Sequence, residues 1–301
     1  MTNFQLYFAG GNQQLFHDYI RSKGGNFLLS YVNDYKRLLK FFERGEDGFF
    51  IDSGAFSAHR RGIVVDVDAY IDFLNRYDDH IRIAAQVDTI PGRFGEVKTP
   101  NQLAEAPRLS WENYLYMLPK LKSPEKLLPI FHQGESFEWL ETMLAFEPRI
   151  QYMGVSPSND RTEGEKEAWM REVYEVISHS ANPGVNTHAF GMTNMRLMEM
   201  FPLTSADSTT WLMNGVYGNI TTRYGILSVS ERKRLVNPRH LLNQPEPVQR
   251  EVCNDIEALG YTLEELCDDS KKRSLYNVDF FLRWASTYEL KNVVARPRKL
   301  F

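Results

Sequence analysis

The chain has 301 residues, 43% of them apolar and 25% charged, so it can enclose a substantial core, and disorder is excluded as the default. Its 35 Lys plus Arg against 39 Asp plus Glu give a formal charge of -4, which offers nucleic acid no global attraction and sends any such partner to a local basic patch. Two cysteines, Cys253 and Cys267, are too few for a disulfide-framed scaffold or a four-cysteine metal knuckle.

The start of the chain lacks a basic leader followed by an apolar run, and no 18-residue uncharged apolar segment follows, so a soluble cytoplasmic protein without a membrane partner is expected. In chain order, short apolar runs fall at residues 4–9, 27–30, 49–53, 83–88, 127–132, 150–155, 185–190 and 203–207. Between them, leucines, aromatics and methionines recur at three- and four-residue spacing over 13–21, 33–42, 67–77, 110–118, 137–146, 165–178 and 194–201. This alternation predicts βα units around a parallel sheet, and eight runs predict an α/β fold of the (βα)8 TIM-barrel class. An open doubly wound sheet would share the alternation, but Gly10-Gly11 is not followed by the third spaced glycine of a dinucleotide fingerprint. Asp66 is placed to cap the third helix, and Thr193 or Asn194 the seventh. Residues 217–247 are basic and aperiodic, whereas 248–259, 263–267 and 277–290 read as helices. The expected organisation is a main barrel over 1–215, a basic and helical C-terminal insertion or appendage over 216–275, and a closing helix with a basic tail over 276–301.

A barrel brings the C-terminal ends of its strands to one rim, so polar groups falling there are informative. Asp52 follows a buried run in Phe49-Phe-Ile-Asp-Ser-Gly-Ala-Phe56, where Gly54 allows a sharp turn and Phe56 can present a flat face. Capping of the next turn is the simpler role for Asp52. Asp88 ends the fourth run, where a carboxylate can accept two N–H donors from a purine-like edge or fix an Asx-turn. The fifth run sets His132, Gln133 and Glu135 around Gly134. The Gln133 amide offers a heterocycle both donor and acceptor, and His132 ranks below it as an orienting group. Gly154 either admits a planar ligand to backbone groups or relieves a tight turn. In His188-Ala-Phe-Gly-Met192, Phe190 and Met192 reach the seventh rim, for a base sandwich or for packing, and His188 is a further substrate-binding candidate. Asp207 ends the eighth run. Paired with Asp52, it suits exchange at a glycosidic carbon, one carboxylate attacking the sugar and the other handling the proton.

The string Asp52-Ser-Gly-Ala-Phe56, the Asp88 strand end, Gln133-Gly134, Gly154-Val155, Phe190-Gly191 and Asp207 together resemble the queuine/archaeosine tRNA-guanine transglycosylase superfamily. The resemblance covers roughly residues 1–215 by motif order, and it is nearer the phage-type branch that installs 7-deazaguanine bases in DNA. It implies a (βα)8 enzyme that exchanges guanine for a 7-deazaguanine base such as preQ0 through a covalent enzyme–sugar intermediate, with no cofactor. Carried over residue by residue, Asp207 would be the nucleophile and Asp52 the general acid/base. Phe56 would stack on the base, Asp88 and Gln133 would bind its polar edge, Gly154 with Val155 would contribute backbone, and Phe190 would form the other side of the pocket. Two departures stand out. Ala55 replaces a glycine of the family string, and the cysteines needed for the zinc site of the tRNA enzymes are missing.

Candidate phosphate contacts are Arg60 and Arg61 beside the Asp52 loop, then Arg223, Arg232, Lys233 and Arg234, although charge runs of this kind often form only a solvated face. The expected partner is guanine-containing DNA, with tRNA as the alternative. An accessory protein would open a duplex, because a paired base cannot reach a barrel mouth. Competing readings are a nucleoside or N-glycoside hydrolase using the same carboxylates with water, and a non-catalytic nucleic-acid-binding scaffold.

Overall fold

The computed structural model describes residues 4–192 and 194–289. The fold is α/β, with nine strands in one TIM-like barrel sheet: β1 (Gln5–Ala9), β2 (Asn26–Ser30), β3 (Phe49–Asp52), β4 (Ile81–Ala85), β5 (Leu127–Leu128), β6 (Ile130–His132), β7 (Tyr152–Ser156), β8 (Asn186–Ala189) and β9 (Ser205–Ser208). All eight apolar runs of the sequence thus supply strands. The ninth strand arises because Pro129, which has no N–H to donate, splits the fifth run in two. β5 pairs with β4 and β6 pairs with β7, so one continuous segment serves both neighbours.

Two compact units divide the chain. The larger, Phe27–Asp207, contains the strands from β2 to β9 and the helices α2 (Tyr31–Glu43), α3 (Ala55–Arg60), α4 (Val67–Arg76), α5 (Pro100–Met117), α6 (Phe137–Ala145), α7 (Glu163–His179) and α8 (Met195–Met200), following α1 (Gln14–Ser22) in chain order. Each long helix turns an apolar stripe inward, as with Tyr70, Ile71, Phe73 and Leu74 of α4. Asp66 caps α4 by accepting from the Ala69 N–H at 3.0 Å, and Asn194 caps α8 by accepting from the Leu197 N–H at 3.2 Å. Thr193, the other candidate cap, lies outside the described residues. The helix expected at 110–118 starts ten residues earlier. Thr99 and Gln102 form a reciprocal capping box, and Pro100 occupies the first turn, where its missing N–H costs nothing.

The second unit joins residues 4–26 to Ser208–Tyr288. Besides β1 and α1 it holds α9 (Thr210–Val216), an antiparallel hairpin of β10 (Asn219–Thr222) and β11 (Gly225–Ser228), then α10 (Glu246–Ala258), α11 (Leu263–Asp268) and α12 (Ser270–Ser286). Ile220, Leu227, Val229, Leu241, Val252, Ile256, Leu266 and Tyr276 form its core. Buried Asn277 accepts from the Thr221 N–H at 2.7 Å and donates to the Trp211 carbonyl at 3.0 Å, fixing α12 to β10 and α9. α12 begins seven residues before the expected start, because Asp269 accepts from the Lys271 and Lys272 N–H groups as its N-cap. The basic tail expected at the end of the chain lies outside the described residues. Among those described, no helix is long and apolar enough to cross a membrane.

Candidate active site

Side chains two residues apart on a strand share a face, so register assigns the barrel interior. Ile130, Gly154, His188 and Ser205 are successive partners across β6, β7, β8 and β9. The buried His188 ring lies 4.5 Å from that of Phe50 on β3, which makes this the inward-facing layer. Two residues further on stand Asp52, His132 and Asp207, with Phe190 among them, a largely polar layer at the C-terminal ends of the strands.

The two carboxylates of the expected pair have different partners. Asp207 Oδ1 accepts from the Gly191 N–H at 2.8 Å and lies 3.3 Å from His188 Nε2. With its proton on Nε2, His188 donates to Asp207, and its Nδ1 accepts from Ser205 Oγ, whose oxygen also meets the Tyr152 hydroxyl. Burial lowers the His188 pKa despite the nearby Asp207 carboxylate, so this imidazole is neutral at pH 7. Asp52 Oδ2 accepts from the Gly54 N–H at 3.1 Å. Burial, reinforced by the negative charges of Asp88 and Asp207, pushes the Asp52 carboxyl up to about 7. The site therefore holds one carboxyl poised to carry a proton and one set against a backbone N–H and an imidazole.

Asp88 is the third carboxylate here. Its Oδ1 accepts from Gln86 Nε2 at 2.8 Å, and its Oδ2 lies 3.1 Å from His132 Nε2, an ion-pair distance without hydrogen-bond alignment. Burial opposes the charge on His132, but the Asp88 and Glu135 carboxylates outweigh it and raise the imidazole to about 9. Glu135 accepts from the His132 backbone N–H at 3.0 Å. Burial raises its own carboxyl to about 7, against the lowering effect of His132. Gln86 is fully buried, and its Oε1 has no hydrogen-bond partner. His132 therefore plays a larger part than its sequence ranking gave it, and Gln86 was not expected at all. The alternation Ile130, His132 at a strand end was the available signal for the former.

Other expected residues have partners within the fold. Gln133 Oε1 accepts from the Ser158 N–H at 3.0 Å and its Nε2 donates to the Glu165 carbonyl at 3.3 Å, so the amide ties the loop before α7 to that helix's first turn. The Gly154 N–H bonds the Pro129 carbonyl at 2.8 Å, and the Val155 carbonyl accepts from the Phe190 N–H at 3.0 Å. The Phe190 ring leans on Gly154, where an added Cβ would meet Phe190 Cε2 at 2.5 Å and Ile130 Cγ1 at 3.0 Å. Gly154→Ala is accordingly expected to destabilise the chain by about 1–3 kcal/mol in denaturant titration, with Phe190→Leu in the same chain restoring part of the loss.

Phe56 is exposed on α3, Arg60 lies over the Phe94 ring at 5.2 Å, and Arg61 donates to Asn33 Oδ1 at 2.6 Å. The remaining candidate cations lie in the second unit. There Arg223 is paired with Asp255 at 2.6 Å, Arg234 lies 3.4 Å from Glu231, Lys233 donates to the Tyr217 carbonyl, and Arg232 is exposed. No protein-family model matches the chain, and no curated protein matches it.

Proposed function

We propose that the chain is a base-exchange transglycosylase that replaces guanine in nucleic acid, DNA in preference to tRNA, with a 7-deazaguanine base such as preQ0. The observation that carries this reading is the unequal environment of two strand-end carboxylates in one unit. Asp52 is raised to about 7 and feels the charge of Asp207, while Asp207 is held by Gly191 and a neutral His188. Pairs of acids with divided environments assign acid and nucleophile roles.

In the first half-reaction an Asp207 carboxylate oxygen attacks C1′ as the bond to the guanine nitrogen breaks, and the Asp52 carboxyl gives its proton to the departing base. Both Gly191 and His188 contact Oδ1, which leaves the attack to Oδ2. In the second half, ionised Asp52 takes the proton from the incoming base as that base attacks C1′ and the ester bond to Asp207 breaks. Asp88, which remains partly exposed, offers an acceptor for ring N–H and amino groups. One observation favours the hydrolase alternative: Phe190 fills the space against Gly154, so a planar base must stack on the other face of that ring or displace it.

Single-stranded DNA and tRNA carrying labelled guanine, each incubated with the protein and a 7-deazaguanine base, test the reading. The expected result is release from DNA that depends on the incoming base. Release driven equally well by water would transfer the assignment to hydrolysis, and release from neither substrate would reject both.

A further inference from the structure

Two neighbouring loops carry a surface that the proposed chemistry does not use. Strands β3 and β4 are adjacent and parallel, so the segments after them, residues 53–66 and 86–99, leave the same rim side by side. On the first, Phe56 is 57% exposed and Val64 93%; on the second, Phe94 is 55% exposed and Val97 97%. Apolar residues exposed on neighbouring loops mark a candidate interaction surface. Its charge setting identifies the partner. Residues 53–66 include Arg60 and Arg61 against Asp66, which caps α4, while 86–99 include Arg93 and Lys98 against Glu96 and Asp88, the latter set against Gln86 and His132, in a chain whose formal charge is -4. Arg60 lies over one face of the Phe94 ring at 5.2 Å, so cation and aromatic already form a unit.

We infer that Phe94 and Arg60, with Phe56 beside them, form a stacking clamp for an unpaired nucleic-acid strand, holding a nucleotide that flanks the one in the barrel. Unpaired bases stack on exposed rings while nearby cations follow the phosphates, and any base supplies the required face. A duplex does not fit this device, because its bases are already stacked on each other. The inference rests on the base-exchange reading for what happens in the barrel, but binding at the clamp is measurable without catalysis.

The test is fluorescence anisotropy of the full chain with a labelled 20-nucleotide DNA strand, the same sequence as RNA, and the corresponding duplex. Single strands are expected to bind at least about tenfold more tightly than duplex, and the two sugar types report which strand the clamp accepts. Phe94→Ala is expected to weaken single-strand binding by about tenfold. Phe94→Leu, which keeps apolar bulk and removes the π-face, should weaken it nearly as much. Arg60→Gln should lower affinity and reduce the salt slope by about 0.7. Both positions are exposed, so unchanged thermal melting separates the effect from misfolding. Wild-type affinity in both Phe94 variants, or duplex bound as tightly as single strand, would overturn the clamp. So would a Phe94 effect on self-association alone, read by sedimentation. Should the clamp fail while Asp207-dependent guanine release persists, base exchange stands without it; strand binding that depends on Phe94 with no guanine release would leave the reverse.

Discussion

Asp207→Asn is expected to lower guanine release by at least about a thousandfold, because an amide oxygen is a poor nucleophile toward a sugar carbon. The substitution keeps shape and leaves an oxygen able to accept from the Gly191 N–H and His188, so the local hydrogen bonds survive. Folding stability should change by less than about 1 kcal/mol, and strand affinity by no more than about threefold. Single-turnover release of labelled guanine, read beside anisotropy on the same preparation, separates these effects. Turnover within tenfold of wild type would remove Asp207 from the mechanism.

Asp52→Asn carries the second large effect, about a hundredfold to ten-thousandfold on guanine release, because the departing base then has no proton donor. The wild-type pH profile gives an independent view. Asp52 is raised to about 7, so it is neutral below that pH and ionised above it. Guanine release in single turnover should therefore fall about tenfold per pH unit on the alkaline side of 7, with Glu135 titrating in the same range. Stability responds to the same shift. The unfolded chain loses the Asp52 proton near 3.8, whereas the folded chain retains it to about 7, so the folded state loses stability as pH rises through that interval. Asparagine mimics the neutral acid and avoids this loss. Asp52→Asn should match wild type in melting below pH 4 and exceed it above pH 7, by on the order of 2–4 kcal/mol. Equal melting at both pH values would show that Asp52 is not forced toward its neutral form.

The barrel was legible because apolar runs and helical stripes are local signals: all eight runs became strands, and only Pro129 added a break. Elements with weak apolar periodicity were not. The β10–β11 hairpin lies in the basic stretch read as aperiodic, and α3 and α9 are short helices without a full amphipathic repeat. Asp52, Asp88, His188, Phe190 and Asp207 were legible as candidates from their strand-end positions. Their partners were not, because hydrogen-bond pairing depends on register and on which neighbour reaches first. Gln133 illustrates the limit. Its donor and acceptor were read as available to a heterocycle, yet the first turn of α7 and the loop before it use them. His132 shows the converse, since only the fold brings its ring to Asp88, 44 positions earlier in the chain.

Mass spectrometry of the intact wild-type protein, quenched in acid after incubation with single-stranded guanine-containing DNA and no incoming base, bears most directly on the carboxylate pair. The account predicts an adduct equal in mass to the protein plus the strand less one guanine, mapped by proteolysis to the peptide containing Asp207 and absent from Asp207→Asn. Guanine released without any adduct, an adduct on another residue, or no guanine released at all would contradict it.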